Sequence, residues 1–292
     1  MKKATPFLAL AFIILFTSGM VINTYEPPKT FTAGEVISRI KRNVTCAWQE
    51  ETVDTYKGGD PTMEVTGIAT TFLATLEVLK KAKAKGLNLI ITHEPTFYNH
   101  LDETEQFAGD AIVAEKQQYI KDNGLIVFRF HDHIHQTRPD GIFKGVVDQL
   151  GWGSFEQGQR PYTYKLPETN LKDLSDQLKR TFQSETIRVV GNPDMTLTDV
   201  GLVLGAAGST RQIAALQSDD VEVLIIGETH EWETVEYVRD AVNMGRKKAL
   251  ILLGHANSEE AGMAYCAEWL KTFIAEVPIE FVPAGDPFWT PQ

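Results

Sequence analysis

Cysteine is nearly absent: Cys46 and Cys266 are the only two in 292 residues, and no CxxC pair occurs. That excludes thiolate metal sites and thioredoxin-like redox chemistry. A bridge between the two stays open if the chain is exported, as does a buried free thiol at Cys266, beside Tyr265 and Trp269. Basic residues are also short: 28 Lys+Arg face 39 Asp+Glu, a net charge of −11. An acidic surface repels nucleic acid and anionic lipid, so neither is expected as a partner. A small anionic substrate is not excluded, because a bound metal dominates its own pocket. No apolar run reaches the ~20 residues that cross a bilayer. The longest candidate, Phe7 to Phe16, follows Met1-Lys2-Lys3 and precedes Thr17-Ser18-Gly19. That pattern predicts a signal peptide over 1–24 and a secreted or periplasmic protein, with no stable membrane anchor after cleavage. An uncleaved anchor is the alternative.

What is present is a soluble globular composition, 43% apolar and 23% charged, long enough for one large domain or two ordinary ones. The pattern predicts helix over 33–41 with Thr32 as N-cap, strand over 66–71 and helix over 72–84. Strand 87–91, helix 109–122 and strand 125–130 follow. Strand and helix alternate, which predicts α/β layers with a mainly parallel sheet. Residues 137–165 read as a connection. Beyond it come helix 170–183, strands 187–190 and 200–204, a glycine turn at 205–209, helix 211–217, strand 221–226, helix 234–243, strand 249–253 and helix 257–273. The expected architecture is two-lobed: a first lobe over 25–136, a second over 137–247, and a C-terminal strand and helix, 248–292, returning to the first.

Five of the seven histidines fall in three short segments, each after an apolar run. These are Thr92-His93-Glu94, His131-Asp132-His133-Ile134-His135, and Gly254-His255 through Glu259. Ligands of open α/β sheets collect outside the carboxyl ends of the strands. Imidazole with carboxylate there points to a transition metal (zinc, iron, nickel or manganese) rather than calcium. His255 and Glu259 stand one helical turn apart and can share an ion; the alternative is that Glu259 merely complements the helix dipole. If the preceding strand continues through His131, His133 and His135, all three point to one side; the alternative is an exposed His-rich loop. The Gly205-Ala206-Ala207-Gly208-Ser209 segment matches neither GxGxxG nor a Walker sequence, and a tight structural turn is favoured over a phosphate cradle.

With these segments in this order, the chain resembles the NGG1-interacting-factor-three-like family of hexameric, dinuclear-metal proteins, also labelled GTP cyclohydrolase 1 type 2 homologs. The family's Thr-His-His-Pro-Leu strand end matches Thr92-His93-Glu94-Pro95-Thr96. Its His-Thr-Asn-Leu-Asp segment matches His131 to His135, with Asp140-Gly141 beyond. Its Gly-Gly-Ala-Gly-Ser turn matches Gly205 to Ser209, its Gly-Glu strand end matches Gly227-Glu228, and its final Gly-His-x-x-x-Glu matches Gly254 to Glu259. The tail, Asp286-Pro287-Phe288, also looks like the family's ending. The resemblance covers nearly all of the chain beyond the signal segment.

The resemblance implies metal ligands at His93, Glu94, His135, His255 and Glu259, holding one or two divalent transition-metal ions such as zinc, iron or manganese. It implies a homohexamer and metal-assisted hydrolysis of an unidentified small molecule. His131, His133 and Glu228 are candidates for proton transfer or substrate contact, with His131 or His133 as a possible added ligand. Glu94 stands where a second His is usual, and His135 where an Asp usually bridges. The exchange is reciprocal: three histidines and two carboxylates remain, which preserves ligand charge and moves the bridge to Glu94 or Glu259. Trp232 stands near where the family often has a His. No guanine or triphosphate motif supports the activity in the label. The competing reading is a metal-binding or scaffold protein without turnover.

Overall fold

Continuous apolar runs make the central strands of both sheets. In chain order the first part comprises α1 (Ala33–Asn43), β1 (Tyr56–Gly58), β2 (Ile68–Thr71), α2 (Leu76–Ala84), β3 (Leu89–Thr92), α3 (Ala111–Asp122) and β4 (Ile126–Arg129). Every residue of β2, β3 and β4 is buried, as in parallel strands covered on both faces. Side-chain caps start the helices. Thr32 accepts from Glu35 N, Thr75 from Val78 N, and Asp110 from Ile112 N and Val113 N. The computed structural model describes Met1 and residues 31–157 and 162–291, and Phe31–Gln292 makes up one compact unit. Apart from Met1, the expected signal segment lies outside the described residues. Among the described residues no helix is long and apolar enough to cross a membrane.

The second part comprises α4 (Asp132–Gln136), α5 (Gly141–Leu150), β5 (Thr163–Asn170), α6 (Leu171–Phe182), β6 (Arg188–Val190), β7 (Thr196–Val203), α7 (Ser209–Leu216), β8 (Val223–Ile226), α8 (Glu236–Asn243), β9 (Ala249–Leu252), α9 (His255–Lys271) and β10 (Ile279–Phe281). Two five-stranded sheets result, ordered β1-β4-β3-β2-β10 and β5-β7-β8-β9-β6. In the first sheet β4, β3, β2 and β10 are parallel and β1 is antiparallel. In the second, β7, β8 and β9 are parallel between antiparallel edges β5 and β6. The α/β expectation therefore holds.

Some elements differ from the sequence expectations. Residues 132–136 are a helix, not a strand extension. Residues 141–150, read as connection, form α5, capped by Asp140 accepting from Ile142 N and Phe143 N. The strand at 249–252, grouped with the C-terminal return, pairs with β8 and β6 in the second sheet, because its fully apolar run belongs between them. Only α9 and the unforeseen β10 reach the first sheet. Cys46 and Cys266 are both free thiols.

The helix α9 joins the two sheets. It leaves β9 at Gly254 and buries Met263, Cys266, Ala267 and Leu270 in the core of the first sheet, where the Thr70 hydroxyl donates to Met263 O. Burial of Met263 and of Leu270 contributes roughly 1.5–3 kcal/mol each. Against α5 the contact is backbone-close. A Cβ on Gly145 would lie 2.3 Å from Ala261 O, and one on Gly262 would lie 2.4 Å from Ile142 Cα. This packing brings the start of α9 to the ends of β3 and β4.

Candidate metal centre

Four imidazoles converge there, each held from behind. His93 follows β3 and is fully buried; its Nδ1 faces Phe130 O at 3.3 Å. At the N-cap of α4, His131 Nδ1 lies 2.9 Å from Asp132 Oδ1, and within α4 His135 Nδ1 lies 3.1 Å from Asp140 Oδ2. On α9, His255 Nδ1 lies 3.5 Å from Glu228 Oε1. Each Nδ1 has an oxygen neighbour behind it, the arrangement that orients a metal-binding imidazole with Nε2 forward.

All four Nε2 atoms face two carboxylates. Glu94 Oε1 lies 3.9 Å from His93, 3.6 Å from His131 and 3.4 Å from His255. Glu259 Oε2 lies 3.4 Å from His93 and 3.0 Å from His255, while its Oε1 lies 4.0 Å from His135. Donors bound at the roughly 2.0–2.2 Å of a tetrahedral site stand about 3.3–3.6 Å apart, and the separations of 3.4, 3.4 and 3.6 Å fall in that range. The ligand atoms of His93, His131 and His135, and those of His93, Glu94 and Glu259, each lie within 4.8 Å of one another. His93 Nε2 is buried without a hydrogen-bond partner. An orphaned buried nitrogen is costly unless something binds it. The donor set therefore fits a divalent transition metal.

The electrostatics agree. Burial opposes ionisation of Glu94, but the hydrogen bond from His255 and the charges of His93, His255 and His131 outweigh it and hold the carboxyl at about 2. Glu259 is lowered in the same way, against its burial, by His255 and His93. Burial also works against a charged His255, yet Glu228, Glu259 and Glu94 raise it far above the ordinary imidazole range. His131 is pushed down to about 4 by burial and by the charge of His93.

Neighbouring backbone shapes the cluster. Gly205 sits at φ +62, and a Cβ there would lie 2.2 Å from Glu259 Oε1. The glycine turn is thus a close-approach wall for the carboxylate. Arg129, fully buried at the end of β4, donates from Nε to His93 O at 3.1 Å and from Nη1 to His100 O, and places Nη2 3.4 Å from Glu94 Oε2. The cluster forms the floor of a cleft of about 880 Å³ whose walls include Arg138, Phe143, Tyr162 and Arg211.

Of the residues singled out from sequence, His93, Glu94, His135, His255 and Glu259 come together, and His131 joins them. His133 does not. On a helix, positions 131 and 135 share a face and 133 points away. Its ring is fully buried, stacked on Trp48 at 3.7 Å, with Nδ1 2.6 Å from Asp54 Oδ2 and Nε2 accepting from Gln49 N. Its place is structural, which corrects the expectation that all three histidines share one side. Glu228 stands behind His255 rather than in the cluster. Sequence reasoning missed Arg129 and Asp140 as supports; an arginine inside the apolar run 125–130 was the visible signal for the first.

The Duf34/NIF3 (NGG1p interacting factor 3) profile matches residues 32–287. A protein called "GTP cyclohydrolase 1 type 2 homolog" from Clostridium acetobutylicum is 26% identical over 232 residues, 76% of this chain and 82% of its own length. One of the same description from Clostridium perfringens is 22% identical over 246 residues, 79% of this chain and 88% of its own. A solved structure of a Bacillus cereus protein related to NIF3 superposes with a TM-score of 0.68 at 14% identity, covering 90% of this chain and all of that one. The family match spans both sheets and every residue of the candidate centre, and the chain belongs to the Duf34/NIF3 family.

Proposed function

We propose that the chain binds one or two divalent transition-metal ions (zinc, iron or manganese) and acts as a metal-dependent hydrolase on a small molecule. The observation that carries this reading is the convergence of four Nε2 atoms on Glu94 and Glu259 at the floor of an open cleft. A purely structural site is normally closed by its ligands, whereas a cleft of about 880 Å³ leaves room for a substrate beside them.

His93, His131, His135, His255, Glu94 and Glu259 would hold the metal, which when bound would supply Lewis acidity and lower the pKa of water toward neutrality. Glu259 turns one oxygen to His255 and His93 and the other to His135, so both oxygens would be available to metal held there. Glu94 turns one oxygen to the imidazoles and the other to Arg129, so its charge is oriented rather than free. Asp140, Asp132 and Glu228 orient the histidines. The proposal extends to export directed by residues 1–24 and to assembly as a homohexamer, the first supported by the basic-apolar-small pattern and the second by family membership.

The test is turnover of a phosphoester and amide panel by protein stripped with chelator and then reloaded with zinc, manganese or iron(II). The reading expects metal-dependent hydrolysis of at least one class, abolished in Glu259→Gln. Full metal loading with no turnover of any class would favour the non-catalytic metal-binding alternative.

A further inference from the structure

A second cavity, of about 440 Å³, adjoins the metal cleft: both are walled by Glu94 and by the exposed His100. Lys116, a side chain from α3 that is 5% exposed, also lines this second cavity. The ammonium donates to Thr96 O at 2.6 Å and lies 5.7 Å and 5.2 Å from the Phe97 and Tyr98 rings. An ammonium has three protons to donate, and one acceptor is in place. Among the described residues no carboxylate pairs with it: Asp102, whose charge acts on Lys116, is paired with Lys57 at 3.3 Å and Arg129 at 3.6 Å. A buried cation without a counter-charge is costly.

Two more sets of donors belong to residues that line the same cavity. The Thr96 hydroxyl is buried with no hydrogen-bond partner. Leu73, Ala74, Thr75 and Leu76, at the N-terminus of α2, also line the cavity. Thr75 caps Val78 N, which leaves the N–H groups of Leu76 and Glu77 without an acceptor in the helix, and the helix dipole favours an anion. Glu94, the acidic wall residue, is turned toward Arg129 and the imidazoles. The adjoining loop, in which Tyr98 and Asp102 adopt φ 45 and 60, is tied by Asp102 Oδ1 accepting from Phe97 N at 2.8 Å.

We propose that this cavity is an oxyanion subsite, built from Lys116, the Thr96 hydroxyl and the N-terminus of α2, for a phosphate or carboxylate group of the substrate. A molecule anchored there would present its neighbouring bond to the metal cleft past Glu94 and His100. The inference rests on the proposed hydrolase only for that reacting end; anion binding itself needs no metal.

The experiment is calorimetric titration of the full chain, stripped of metal, with inorganic phosphate and, separately, acetate. Saturable binding of at least one is expected, and the tighter of the two identifies the group. Lys116→Met should weaken it by about tenfold or more, as loss of a charge-assisted bond does. Thr96→Val, which keeps the ammonium, should weaken it several-fold, and it decides the matter if Lys116→Met fails to fold. His255→Ala should bind the anion as wild type does. No saturable binding of either anion, or binding by folded Lys116→Met within twofold of wild type, overturns the proposal. Loss of binding in His255→Ala with retention in both subsite variants would place the anion among the imidazoles and overturn it equally. A failed hydrolase reading would leave these titrations unchanged.

Discussion

Arg129 Nη2 stands 3.4 Å from Glu94 Oε2, while the other oxygen of the same carboxylate faces His255 at 3.4 Å. One side chain thus meets a fixed guanidinium on one edge and the metal-binding imidazoles on the other. Arg129 also binds the carbonyls of His93 and His100, so it ties the ends of β3 and β4 to the loop between them. Removing it strands a buried carboxylate and two carbonyls. Arg129→Met is expected to destabilise the metal-free protein by about 3–5 kcal/mol. Metal affinity should fall about 10–100-fold, as for loss of a group orienting a ligand. Denaturant unfolding and competition with a fluorescent chelator measure the two.

Asp140 separates support of the fold from support of the metal. One oxygen caps α5 through Ile142 N and Phe143 N; the other holds His135 Nδ1 at 3.1 Å. Asp140→Asn keeps an acceptor for the cap and removes the charge behind the histidine. Unfolding free energy should change by less than about 1 kcal/mol, since Asn caps as well as Asp. Metal affinity should drop about tenfold or more.

Gly205 is a steric prediction. With a Cβ 2.2 Å from Glu259 Oε1 and a left-handed φ, Gly205→Ala must displace the carboxylate or the turn. A loss of about 1–3 kcal/mol is expected from overpacking. The sharper readout is metal stoichiometry, which should fall in protein that still folds.

Protons should leave as metal enters. In the metal-free protein Glu228, Glu259 and Glu94 keep His255 protonated above its ordinary range, against the effect of burial. A metal ligand must be neutral imidazole, so loading displaces that proton. Titrations in buffers of different ionisation enthalpy should show net proton release near pH 7, and affinity should weaken as pH falls. In the stripped protein the signs are opposite for the two partners. Glu94, held at about 2, contributes stability present above its unfolded value and lost as pH falls through about 2. His255, raised, contributes stability present below its unfolded value and lost as pH rises toward its folded one.

Much of this centre was legible because its ligands follow strands that announce themselves. His93 ends the fully apolar β3, and His255 begins α9 directly after β9. The α4 segment misled for a physical reason. His-x-His-x-His has strand period, and what makes it helical is Asp54, distant in sequence. Its carboxylate accepts from the N–H groups of His131, Asp132 and His133, a cap no local pattern displays. Likewise Gly141 and Gly145 lower the helix propensity of α5, yet Gly145 is what lets the helix meet α9 backbone to backbone. Arg129 and Asp140 act through partners remote in sequence or through a second oxygen, and neither role leaves a periodic trace.

The most direct test is anomalous diffraction at the metal edge from crystals of the full chain grown metal-replete, with metal content measured on the same protein. The account predicts stoichiometric metal, with one or two peaks bounded by the Nε2 atoms of His93, His131, His135 and His255 and in contact with Glu94 and Glu259, and loss of that metal in His255→Ala. A metal-replete wild type without stoichiometric metal, or peaks elsewhere in the molecule, would contradict it.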